Sequence, residues 1–267
     1  MVLMVVGSFA VDLRAGYLTT NSNGSVTATG SDATLSASAN FAVVNSGGSD
    51  PQLVITLTNT STTAITATTQ VLTGAFFSVK TGTTTLTAGS GSTAVTQSSY
   101  VDSTNGTTMK ANVNVSDDWA YATGLSGAPY GMTYGLSAVA LSPTCTNGCA
   151  PPGLFSNVKT LGGGRVDTGS NVSYGLTPTV GGAAAAKTLG DPLIQNSVVF
   201  TIDLPKNTVF TTSMITNVAF QYGTCLTDTD FEVLPEPSTY SWLISLSLLT
   251  LGGIQSRRRA QQRAKSL

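Results

Sequence analysis

The sequence predicts an all-β chain, an antiparallel β-sandwich or jelly-roll-like body followed by one C-terminal transmembrane helix. Three observations predict it. Only 9% of the 267 residues are charged, against about 25% in an average soluble domain, and Ser, Thr, Gly, Asn and Ala fill the gap. Thr and Val favour strands while Gly and Asn favour turns. Short apolar/polar alternations recur between turn signals, and nothing before residue 233 keeps a 3.6-residue period.

The elements follow in order. Residues 1–10, Met1 to Ala10, are apolar and too short to span a bilayer. They end in Ser8-Phe9-Ala10, the small-x-small pattern of a signal-peptidase site, and are read as a signal-peptide remnant against the plainer reading of a first strand. The body is expected over 11–232. Ala33–Ala42 alternates, and Pro51–Asn59 is the clearest strand, with Leu53, Ile55 and Leu57 on one face. Further strands are expected at Val71–Val79, Met109–Val115, Trp119–Ala122, Tyr134–Leu141, Asn171–Leu176, Ser197–Leu204 and Ile215–Gly223. Gly124–Tyr130, Cys145–Gly153, Leu161–Arg165 and Val180–Lys187 read as long connections. Tyr-Gly recurs at 130, 134, 174 and 222, an aromatic beside a glycine that permits a bulge or sharp turn.

Charge divides the chain. All 13 acidic residues lie at or before Glu236, whereas five of the 12 basic residues fall in the last eleven positions. The acidic body lacks the cationic face that phosphate binding needs, so no nucleic-acid partner is expected.

The chain contains no histidine. That removes Ser-His-Asp and Cys-His constellations and histidine-zinc sites. The Gly162–Gly164 run lacks the Lys-Ser/Thr of a phosphate loop. Asp117 and Asp118 form the one carboxylate pair beside aromatics. Neighbours on a strand face opposite ways, so they make a poor acid/base pair. No catalytic residue, cofactor or metal is expected. Asp228, Asp230 and Glu232 would share one strand face and suit calcium, against the plainer reading of a solvated acidic rim.

Two further candidates need weighing. Trp119 and Tyr121, with Tyr130 and Tyr134, form a candidate sugar-stacking platform. Aromatics at strand spacing are also ordinary core, and exposure of Trp119 and Tyr121 decides between the two readings. Cys145 and Cys149 sit in a Pro/Gly/Asn loop and form a candidate disulfide in an oxidising compartment, with Cys225 left as a buried free thiol.

From Val233 the composition changes abruptly. Pro235-Glu236-Pro237 comes first. An uncharged apolar run follows, carried by Tyr240, Trp242, Leu243, Ile244, Leu246, Leu248, Leu249, Leu251 and Ile254. With its flanks the run approaches the minimum of about 17 residues for a spanning helix. Tyr240 and Trp242 suit the outer interface. Arg257, Arg258 and Arg259 form a basic stop-transfer cluster that holds the C-terminus in the cytoplasm and so places the body outside.

This tripartite tail, residues 233–267, resembles the PEP-CTERM sorting signal, in which Pro-Glu-Pro precedes a transmembrane helix and a basic cluster. The resemblance implies recognition at Pro235, Glu236 and Pro237 by an exosortase, a membrane-embedded cysteine protease or transpeptidase. It implies a Gram-negative bacterium that makes exopolysaccharide, an inner-membrane-anchored intermediate, then a place on the cell surface or in a biofilm matrix. The body also resembles one group of exosortase-dependent surface proteins, at Leu53–Thr60, Val71–Phe77, Trp119–Tyr121, the Tyr-Gly-Leu pairs and Asn217–Thr224. That group tends to show Ser and Glu-Pro after the last stretch, where this chain has Cys225 and Asp228-Thr229. The resemblance carries no enzymatic activity.

Overall fold

The clean alternation of the serine- and threonine-rich segments becomes a sheet with one buried face. The computed structural model describes residues 17–32, 34–80, 86, 94–95, 99–101, 109–110, 112–143, 153–166, 171–207, 209–228 and 232–233. In chain order the strands are β1 (Tyr17–Thr20), β2 (Val26–Asp32), β3 (Leu35–Val44), β4 (Gln52–Asn59), β5 (Leu72–Val79), β6 (Ala94–Val95), β7 (Ser99–Val101) and β8 (Met109–Lys110). They continue as β9 (Ala120–Thr123), β10 (Tyr134–Ser137), β11 (Leu176–Thr177), then helix α1 (Gly182–Leu189), β12 (Leu193–Gln195), β13 (Ser197–Asp203), β14 (Ile215–Tyr222) and β15 (Glu232–Val233). The protein is all-β, and among the described residues there is almost no helix.

Two sheets result. The first runs β1-β2-β3-β4-β13-β6, and every pair in it is antiparallel. Along β3, β4 and β13 buried and half-buried residues alternate over most of each strand. Phe41, Leu53, Ile55, Leu57 and Phe200 thus face inward, as period-two alternation requires. The opposite face carries in-register rows such as Thr29–Ser38–Thr58–Ser197.

The second sheet runs β15-β14-β5-β11-β12-β7-β8, with β10 pairing both β5 and β9. Its core strand β5 is buried over six consecutive residues. One set of its side chains (Leu72, Ala75, Phe77) joins a cluster that also holds Phe41, Ile55 and Phe200 of the first sheet. Phe76 points the other way, into a second cluster with Met132, Val139, Leu141 and Phe155. The second sheet is therefore covered on both faces, and β5 reads as a continuous apolar run for that reason. A register shift against β14 between Gln221 and Tyr222 lets Leu72 and Ala75, three residues apart, share a face.

Among the described strands one pairing is parallel, β11 with β12. The connection between them contains α1, whose Ala185 and Ala186 pack with Ile65, Val71, Val172 and Leu193. This corrects the reading of Val180–Lys187 as a plain connection. Three expected strands are also shorter than the pattern implied. Met109–Val115 keeps β8 alone, Asn171–Leu176 contributes only Leu176, and Tyr134–Leu141 stops at Ser137. In the first two of these stretches a non-glycine residue takes a positive φ, Asn112 (56°) and Tyr174 (61°), and such a residue leaves the strand conformation.

Among the described residues no helix is long and apolar enough to cross a membrane. Residues 1–10 and the tail from 234 onward lie outside the described residues, and with them the expected leader and the membrane-spanning helix.

Candidate functional site

Trp119 immediately precedes β9, and its indole is fully buried. Its ring meets Phe200 with centroids 5.0 Å apart, and its Nε1–H donates to the Tyr174 carbonyl at 3.1 Å. The polar handle of the indole is thereby satisfied in the core. Tyr121 is 5% exposed and donates its hydroxyl to the Leu86 carbonyl at 3.3 Å. Burial, then the nearby Tyr134 phenol, pushes the Tyr121 hydroxyl well above the usual tyrosine range.

These positions correct the sugar-contact reading of Trp119 and Tyr121. Both rings point into the space between the sheets, where no ligand can stack on them. Tyr134 is half-buried and lies face to face with Phe77, 5.4 Å between centroids and 14° between planes. Tyr130 is 65% exposed and lies on the turn before β10, with φ of 53°. The four aromatics form no common platform.

The carboxylate pair sits in a turn rather than on a strand, with the Asp118 N–H donating to the Val115 carbonyl at 3.0 Å. The Thr160–Gly164 turn lies against it, tied by Gly162 N–H to the Ser116 carbonyl at 2.6 Å and Leu161 N–H to the Trp119 carbonyl at 2.8 Å. A Cβ on Gly162 would collide with the Asp117 carboxylate, so Gly162 packs closely on this turn, while Gly163 beside it has open space. Burial, then the Asp117 charge, raises Asp118 to about 6.

The acidic stretch before the tail also departs from expectation. Asp228 lies in a turn and not on a strand face with Glu232. Its Oδ2 accepts the backbone N–H groups of Thr224 and Cys225, each at 3.1 Å. That engagement stabilises the turn after β14 and corrects the idea of three acids aligned for calcium. Asp230 lies outside the described residues. Among the described residues no group of three or more His, Cys, Asp or Glu side chains is placed to hold a metal.

Cys225 is disulfide-bonded, which corrects the free thiol expected there. Within this chain its mate can only be Cys145 or Cys149, so those two are not bonded to each other. Both lie outside the described residues. The neighbourhood was partly visible: Ser142 bridges Cys225 in parallel, with Ser142 N–H donating to Thr224 and Leu226 N–H returning to Ser142. Only a pairing across some eighty residues of sequence reveals this, and local spacing carries no such information.

Pro235, Glu236, Pro237, the apolar run from Tyr240 to Ile254 and Arg257–Arg259 all fall beyond the described residues. The last described strand, β15, ends at Val233, two positions before the motif. No protein-family model, no curated protein and no solved structure matches this chain.

Proposed function

We propose that this chain is an exported, non-enzymatic bacterial surface or matrix protein, anchored briefly in the inner membrane and released by an exosortase. The observation that carries the reading is the ordered tail: Pro235-Glu236-Pro237, an uncharged apolar run, then Arg257-Arg258-Arg259. An apolar run closed by arginines fixes orientation with the body outside. Pro235 and Pro237 keep the chain extended just ahead of the run, and Glu236 sets a carboxylate there. We take the two sheets as the faces of a β-sandwich, with the shared cluster between them as its core. The disulfide at Cys225 supports the export reading, because such bonds persist in oxidising compartments. Association with exopolysaccharide follows from the family resemblance alone.

Glu236→Ala tests the proposal. The variant is expected to insert with the same orientation, since hydrophobicity and the arginines are untouched, but to stay full-length in the membrane fraction. An immunoblot of membrane and released fractions against the body reads it. A variant shortened and released like wild type makes the tail a plain anchor.

A further inference from the structure

Two turns meet just ahead of β9, that of residues 115–118 and that of Thr160–Gly164. The Ser116 and Trp119 carbonyls are both engaged across the junction, by the N–H groups of Gly162 and Leu161. The Asp117 carbonyl between them accepts no backbone N–H among the described residues. Neither the Asp117 nor the Asp118 carboxylate receives a hydrogen bond or an ion pair there. Lys159 and Arg165 flank the second turn, and Arg165 Nη1 donates instead to the Ser156 carbonyl at 3.4 Å. Thr160 is 4% exposed, and its hydroxyl is buried without a hydrogen-bond partner. A Cβ on Gly164 would lie 3.2 Å from that Oγ1 and 3.6 Å from the Asp117 carbonyl oxygen. The orphaned hydroxyl therefore stands on the Asp117 side of its turn.

We propose that the junction of these turns is a calcium site, formed by the Asp117 and Asp118 carboxylates, the Asp117 carbonyl and the Thr160 hydroxyl, with water completing the shell. Calcium takes six to eight oxygens, neutral ones included, and does not need three acids. Burial and the Asp117 charge both oppose the ionised form of Asp118, and a divalent cation offsets both. It also satisfies the Thr160 hydroxyl, whose burial alone is unfavourable. A water could bond that hydroxyl but would leave the two charges facing each other. Two carboxylates among neutral oxygens set an affinity of about 10⁻⁴–10⁻³ M, the range of extracellular modules. The bound ion ties the Thr160–Gly164 turn to the residues that lead into Trp119.

The test uses the full chain in detergent micelles, stripped with EDTA at pH 7.5 and titrated with calcium chloride while thermal unfolding is followed by circular dichroism. At ten times the dissociation constant the midpoint is expected to rise by about 3–5 °C. Asp117→Asn and Thr160→Val keep the side-chain shape. Each is expected to unfold no earlier than wild type in EDTA, and to need about tenfold more calcium, or more, for the same rise. Asp118→Asn should gain its stability in EDTA and lose that advantage in calcium. A wild type whose midpoint ignores calcium overturns the site. So does either Asp117→Asn or Thr160→Val responding like wild type, which would put the ion elsewhere on the chain.

Discussion

The Asp118 carboxylate is half-buried beside Asp117, and its pKa of about 6 makes stability depend on pH. Unfolded, it titrates at the ordinary value of 3.8. Between these two values the folded chain binds more protons than the unfolded one, so stability falls as pH rises through about 4 to 6. Above that window the native state carries the full cost of a poorly solvated charge. Asp118→Asn is therefore expected to stabilise the body at pH 7.5 by about 1 kcal/mol, a two-unit shift discounted for partial exposure. At pH 3.5 the gain should vanish, and urea unfolding at both values checks it. The sequence showed the acid pair beside Trp119 but not its setting. Which face of Trp119 and Tyr121 is covered depends on Phe200 and Leu86, residues remote in sequence. Residue type and spacing alone leave burial of these rings open.

Strands buried on one face were the most legible elements, because alternation in β3, β4 and β13 is written directly in the residues. Segments interrupted by a left-handed residue were less so, since Asn112 and Tyr174 break extended runs that their residue types do not forbid. Helix α1 was missed because eight residues starting with glycine and followed by four alanines give little periodic signal. Its packing against Val71 and Leu193 stabilises it from outside. The turn after β14 carries a sharper sequence cue, a glycine following Tyr222. Gly223 has φ of 73°, and a Cβ there would collide with the Asp228 carboxylate. Gly124 has φ of 64° but open space around it. Gly223→Ala is expected to cost about 2–3 kcal/mol and Gly124→Ala about 1 kcal/mol, strain alone accounting for the second. Thermal unfolding of the two variants side by side separates collision from strain.

At the scale of the whole molecule the disulfide at Cys225 closes a loop of roughly 80 residues, worth about 4 kcal/mol in the chain-entropy account. Peptide mapping without reduction is expected to find Cys225 linked to Cys145 or Cys149, with the remaining cysteine alkylated. Reduction should lower stability by about 2–4 kcal/mol in denaturant titration. The topology has a consequence for timing. β5, at the heart of the second sheet, has β14 as its longest neighbour. Thr73 and Gly223, hydrogen-bonded at 2.6 Å, are 150 residues apart. At synthesis rates of about 5–20 residues per second, β5 waits roughly 10–30 s for that neighbour to be made. Until then its Phe76 and Phe77 have no β14 beside them. A chain whose central strand is completed so late leaves the core of its second sheet open to water for most of its synthesis.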